Sequence, residues 1–178
     1  MRLLLLPILA LSLVASASAQ DVADADADRQ ARPCHYDERF RAFDFWIGEW
    51  EVTVPGGAVA GVNRIDLVET ECVLQENWTS ANGGTGRSFN YLDAATGRWH
   101  QLWVDGRGGH TRYEGEFRDG AMRFEGTNVY GNGTTTMMRM SFTPMDDGRV
   151  RQFIEESRDE GQTWSVWFDG YYARSASN

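Results

Sequence analysis

From Trp50 onward the chain is cut at regular intervals by turn-forming residues, among them Pro55-Gly56-Gly57, Ala81-Asn82-Gly83-Gly84 and Gly131-Asn132-Gly133. Between the cuts lie short runs rich in aromatic and β-branched side chains, at 50–54, 58–68, 72–79, 85–92, 99–105, 110–117, 121–130, 134–143, 149–157 and 163–172. Runs of this length and composition read as strands, and hairpin-sized gaps join each to the next antiparallel to it. No stretch between them reads as a helix. About ten strands in an open meander would leave two unpaired edges and a bare face, so the sheet is expected to close into a barrel. The predicted class is all-β: an up-and-down antiparallel β-barrel with a short N-terminal helical plug. A two-sheet sandwich is the competing topology.

The plug is the block Phe43-Asp44-Phe45-Trp46-Ile47-Gly48-Glu49-Trp50. Burying each large apolar side chain is worth about 1.5 to 3 kcal/mol, so so dense a cluster belongs inside, across one end of the barrel. Gly48 allows a tight turn or a close approach just before the first strand.

Upstream, Met1-Arg2 precedes the apolar run 3–11, and Ala17-Ser18-Ala19 supplies small residues. This is the pattern of a signal peptide over 1–19, cleaved before Gln20, with export to the periplasm or outside. The run is too short for a membrane span. Residues 20–33, with alternating Asp and Ala, are expected to be a disordered acidic linker. The rest, 34–178, is one domain with one core. The formal charge of -9, one unit more negative without Arg2, disfavours nucleic acid and anionic membranes as partners, since both reward basic clusters. A small molecule is the expected partner. The two cysteines, Cys34 and Cys72, are expected to form a disulfide in an oxidising compartment, a catalytic thiol being the alternative.

Gly48-Glu49-Trp50 at the start of the first strand resembles the signature of lipocalins and the wider calycin superfamily. In those barrels the Trp packs near the closed end against an Arg from the end of the last strand, and Arg174 stands at that position. A fuller likeness runs from Arg41 to Arg174 through Cys72-x-Leu-x-Glu-x-Trp78, Trp99-His-Gln-x-Trp-Val-Asp105, Val150-Arg-Gln, and Thr163-Trp through Phe168-Asp-Gly-x-Tyr172. It is similar to a family of exported bacterial proteins with a lipocalin-like domain of unknown function. That likeness implies the barrel and no particular reaction. A more distant resemblance is to nitrobindin-type barrels, which implies haem, with His100 or His110 as the axial ligand.

Alternate residues of a closed sheet face the lumen. On 72–79 the face with Cys72, Leu74, Glu76 and Trp78 is the more apolar and is expected inward. Glu76 would then have a raised pKa and serve as general acid or base, unless an arginine pairs with it. Arg151, with Glu155 on the same face of its strand, is the chosen partner, able either to neutralise a lumen carboxylate or to recognise an anionic ligand group. The other face of that strand is no less apolar. On 99–105 either face fits inward; Gln101 and Trp103 would make an aromatic wall with one amide, a composition common in small-molecule pockets. Ser88 and Asn90 join them by the same alternation. Met137, Met138 and Met140 would line an apolar pocket or pack ordinarily.

The three histidines lack metal-ligand spacing, and neither cysteine sits in a zinc pattern. No Gly-x-Ser-x-Gly, His-Glu-x-x-His or phosphate-loop motif is present. The expected function is therefore an exported barrel binding a small, partly apolar ligand. The alternative is a lumen acid/base enzyme of isomerase or cyclase type using Glu76 and Arg151, and a haem barrel stands behind both.

Overall fold

A computed structural model describes residues 18–175. The expected signal peptide lies, but for its last two residues, outside them. Ten strands follow in chain order: β1 Gly48–Thr53, β2 Val59–Val68, β3 Val73–Ser80, β4 Thr85–Asp93, β5 Arg98–Asp105, β6 His110–Arg118, β7 Ala121–Val129, β8 Thr135–Pro144, β9 Val150–Ser157 and β10 Ser165–Arg174. Each pairs antiparallel with its sequence neighbour, and β1 pairs with β10 to close the barrel. The expected class is the one observed, and the sandwich is not.

Closure has a visible price in side-chain volume at the inner wall. Gly61, Gly86, Gly115, Gly126 and Gly170 all face inward, and a Cβ on any of them would collide with a neighbouring aromatic ring: Trp78, Trp103, Phe124, Tyr113 and Phe168 respectively. The rings lie over bare backbone, which lets the sheet curl while the inside stays filled.

The plug forms as expected. A single 3-10 turn, Asp44–Trp46, carries the aromatic block across one end. Phe43 and Trp46 are fully buried and stacked at 5.0 Å between centroids, and both rings meet Phe142. Trp50 donates its indole N–H to the Trp46 carbonyl at 2.9 Å. The Arg174 guanidinium lies over the Trp50 ring at 3.9 Å from its centroid and donates to the Ile47 carbonyl. Gly48, at φ +129°, runs so close beneath Arg174 that a side chain there would overlap the guanidinium.

Residues 20–33, expected to be a disordered linker, instead begin with helix α1, Ala19–Ala31. Alanine has the best helix propensity, and Ser18 with Asp21 forms a reciprocal capping box at the start. Two short turns of helix, α2 Pro33–Tyr36 and α3 Glu38–Arg41, lead to the plug. They are fastened to the barrel by the expected disulfide Cys34–Cys72 and by Glu71, which accepts from Arg32, His35 and Arg41. Glu69, Thr70 and Glu71 all have positive φ in the β2–β3 turn, a costly conformation that these attachments hold. Among the described residues no helix is long and apolar enough to cross a membrane.

Candidate functional site

Above the aromatic plug the lumen changes character. Glu76 on β3 points inward, as the alternation predicts, and is 4% exposed. Its neighbours on the flanking strands follow from register: Ile65 and Ser88 lie opposite it. Ser88 Oγ donates to Glu76 Oε2 at 2.7 Å, and Asn63 Nδ2 on β2 donates to Oε1 at 2.7 Å.

From this carboxyl a hydrogen-bond chain runs both ways round the barrel. On one side Gln101 Nε2 donates to Asn90 Oδ1 at 2.7 Å, and Asn90 Nδ2 donates to Ser88 Oγ at 2.9 Å and to the Leu74 carbonyl at 3.1 Å. On the other side Asn63 Nδ2 also reaches Tyr172 Oη at 3.4 Å, and the Tyr172 hydroxyl donates to Gln152 Oε1 at 2.7 Å. Six strands are thereby joined through side chains at one level. Asn63 Oδ1 is buried and has no partner.

Burial pushes the Glu76 carboxyl up to about 7, against the opposing pull of Ser88, Asn63 and the more distant Arg87. The low-dielectric surroundings disfavour the charged form, and no cation sits against it to compensate. Burial likewise raises the phenols of Tyr113 and Tyr172, with the nearby Glu76 charge adding to the effect.

Nearer the other mouth lie Trp78 on β3, Trp103 on β5 and Phe168 on β10, inward yet only half-buried. Trp78 and Phe168 meet edge to face at 6.3 Å. A second inward carboxyl, Glu156 on β9, accepts from the Tyr130 hydroxyl and from Arg158 Nε at 2.8 Å. Burial would raise it, but those bonds and one from Thr136 prevail, and its pKa lies below the ordinary value. Thr111 donates to Asn128 beside it at 2.8 Å.

Six of the eight predicted ligand-site residues come together on the inner wall: Glu76, Trp78, Ser88, Asn90, Gln101 and Trp103. Arg151 and Glu155 do not. Both lie on the outer face of β9, where Arg151 makes a fork with Asp169 at 2.8 and 2.9 Å, and Glu155 a fork with Arg139 at 2.6 and 2.9 Å. The inward face of β9 is Val150, Gln152, Ile154 and Glu156. Salt-bridge partners on β8 and β10 decide a choice that the even hydrophobicity of the two faces left open. Arg151 therefore neither neutralises Glu76 nor meets a lumen ligand.

The haem expectation loses its ligands too. His100 stacks on Tyr91 outside the barrel at 5.3 Å, His110 has the same outward parity beside inward Thr111, and His35 binds Glu71. Met138 and Met140 face inward, whereas Met137 is exposed.

Residues missed in the sequence were Asn63 and Tyr172, while Gln152 and Glu156 lie on the β9 face that the alternation left as the even alternative. Strand alternation places Asn63 inward with Ile65 and was the one available signal. The best-formed grooves described lie on the outer wall, among alternating charges such as Arg98, Glu114, Arg123 and Glu155. The polar level inside is lined by hydrogen-bonded side chains, and the half-buried rings of the aromatic mouth lie next to it.

No family model matches this chain, and no curated protein matches it either.

Proposed function

We propose that this barrel binds a small, partly apolar molecule, entering between Trp78 and Trp103 and anchored on the polar level around Glu76. The observation that carries this reading is the combination of a buried carboxyl without a counter-ion and the unpartnered acceptor Asn63 Oδ1. Leaving a buried polar group unsatisfied costs about 1 to 3 kcal/mol, and an apolar filling would serve a purely structural barrel better. A ligand that supplies the missing donor offsets that cost. Export of the protein is part of the same proposal, supported by the Cys34–Cys72 disulfide. So is kinship with the lipocalin-like domains, supported by the Trp50–Arg174 stack at the closed end.

Native mass spectrometry of protein purified without denaturation from cells that export it tests the reading. A retained small molecule, released on unfolding, is the expected result. Protein that emerges empty from every preparation, and takes up nothing from an extract of its own host, would defeat it.

A second reading is favoured by one observation, the pKa of Glu76 near neutrality. A carboxyl that titrates there is suited to proton transfer in an isomerisation. In this reading Glu76 acts without Arg151. Glu76→Gln would then keep binding and lose turnover, whereas a plain binding protein has no turnover to lose.

A further inference from the structure

The inner wall is one-sided in its chemistry. Two buried carboxyls face inward, Glu76 and Glu156, and the inward arginine found among the described residues, Arg174, lies at the closed end on Trp50, away from this level. Arg158 reaches Glu156 from the mouth, but no salt bridge involves Glu76. Asn63 is 2% exposed, its Nδ2 is already spent on Glu76, and its Oδ1 is free. What remains unsatisfied at this level is acceptor capacity. One step toward the mouth stand the half-buried rings of Trp78, Trp103 and Phe168. Aromatic faces and carboxylates attract the same kind of guest, one carrying positive charge and N–H donors on an apolar body.

We propose that the lumen is selective for an organic cation, a small arylalkyl- or alkylammonium whose N–H groups are shared between Glu76 and Asn63 Oδ1 while its apolar part lies against Trp78 and Trp103. This rests on the lumen-binding reading above and narrows it to a ligand class. An anionic ligand at this level would meet the Glu76 carboxyl with no salt-bridge partner beside it. A neutral alcohol would satisfy Asn63 but leave Glu76 without a counter-charge.

The ammonium requires Glu76 as carboxylate. Where Glu76 carries a proton, binding must pass that proton to the buffer, so the complex tightens as pH rises. The groups facing Glu76 are Asn63 from β2, Ser88 from β4, Tyr113 from β6 and Tyr172 from β10, with Arg87 acting from the outer side of β4. The two phenols titrate far above neutrality, which leaves Glu76 as the group facing this level whose charge changes near pH 7.

Titration calorimetry on the folded, oxidised protein with phenethylammonium, phenethyl alcohol and phenylacetate tests the assignment. The ammonium is expected to bind roughly tenfold or more tighter than the alcohol, and phenylacetate not at all. Raising the pH from about 5.5 to about 8 should tighten the ammonium by roughly tenfold or more and leave the alcohol unchanged. Buffers of different ionisation enthalpy should report proton release with the wild type. In Glu76→Gln the ammonium preference and the proton release should both vanish. If that variant does not fold, the pH series on the wild type carries the same test. An alcohol that binds as tightly as the ammonium, a preference that survives in Glu76→Gln, or no binding by any of the three probes would overturn the cation assignment. The lumen-binding reading would still be judged by the retained molecule.

Discussion

At the closed end of the barrel the rings of Phe43, Trp46, Phe142 and Trp99 interlock, and Arg174 lies over Trp50 beside them. A few residues along the same wall, the inner surface is built from Asn63, Glu76, Ser88, Asn90 and Gln101, joined by hydrogen bonds across the four adjacent strands β2 to β5. The first arrangement gains from burial alone and tolerates no hole. The second gives up that gain and holds a carboxyl away from water. The contrast separates what keeps the chain folded from what is available for chemistry, and each half can be tested against the other.

The sharpest blow falls on the plug. Trp46→Ala removes a fully buried ring beneath Trp50 and beside Phe142, and should cost about 3 to 5 kcal/mol, read by denaturant unfolding. A loss below about 1 kcal/mol would mean that the turn is not part of the core. In the polar half the sign reverses. Glu76 holds its proton in the folded state up to about 7 against an ordinary 4.5, so its contribution to stability is fully present below 4.5 and is lost as pH climbs through about 7. The loss should amount to about 3 kcal/mol. Glu76→Gln removes that titration, so the variant should be more stable than wild type by about that amount near pH 8 and similar to it near pH 4, in melting curves taken across the range. Parallel pH profiles for the two proteins would show that the carboxyl is not desolvated.

Smaller effects mark the margins of the two regions. Arg174→Ala takes the guanidinium from the Trp50 face and should cost about 1 to 2 kcal/mol without altering any lumen affinity. Arg151→Ala breaks a partly exposed pair with Asp169 on the outer wall and should cost no more than about 1 kcal/mol, again with ligand binding unchanged. A lumen affinity that falls with Arg151→Ala would contradict the outward placement of that side chain.

The closed end was legible because aromatic residues crowded into eight positions have nowhere else to go, and because turn residues marked the strand boundaries other than Glu69-Thr70-Glu71. Glu76 was legible for a related reason: its strand has one face with Leu74 and Trp78 and another with Gln75, Asn77 and Thr79. On β9 the same argument had nothing to grip, since Val150 and Ile154 on one side balance Phe153 on the other. Its orientation depends on Arg139 and Asp169, which come beside it only once the sheet is built. Tyr172 and Asn63 are 109 residues apart, and closure of β1 on β10 is what makes them neighbours. Helix α1 escaped for a different reason. Its composition is too polar to fold by burial, yet alanine propensity favours the helix, and Tyr36 ties it down through Asp28 and Arg29.

The rings that rest on inward glycines separate the bore of this tube from its frame. Trp78 lies over Gly61 and Trp103 over Gly86, positions that carry no side chain of their own. Trimming such a ring would open space against bare peptide without shifting a strand, and regrowing it would fill that space again. The width of the inner space is thus set by two or three side chains and not by the strands that carry them.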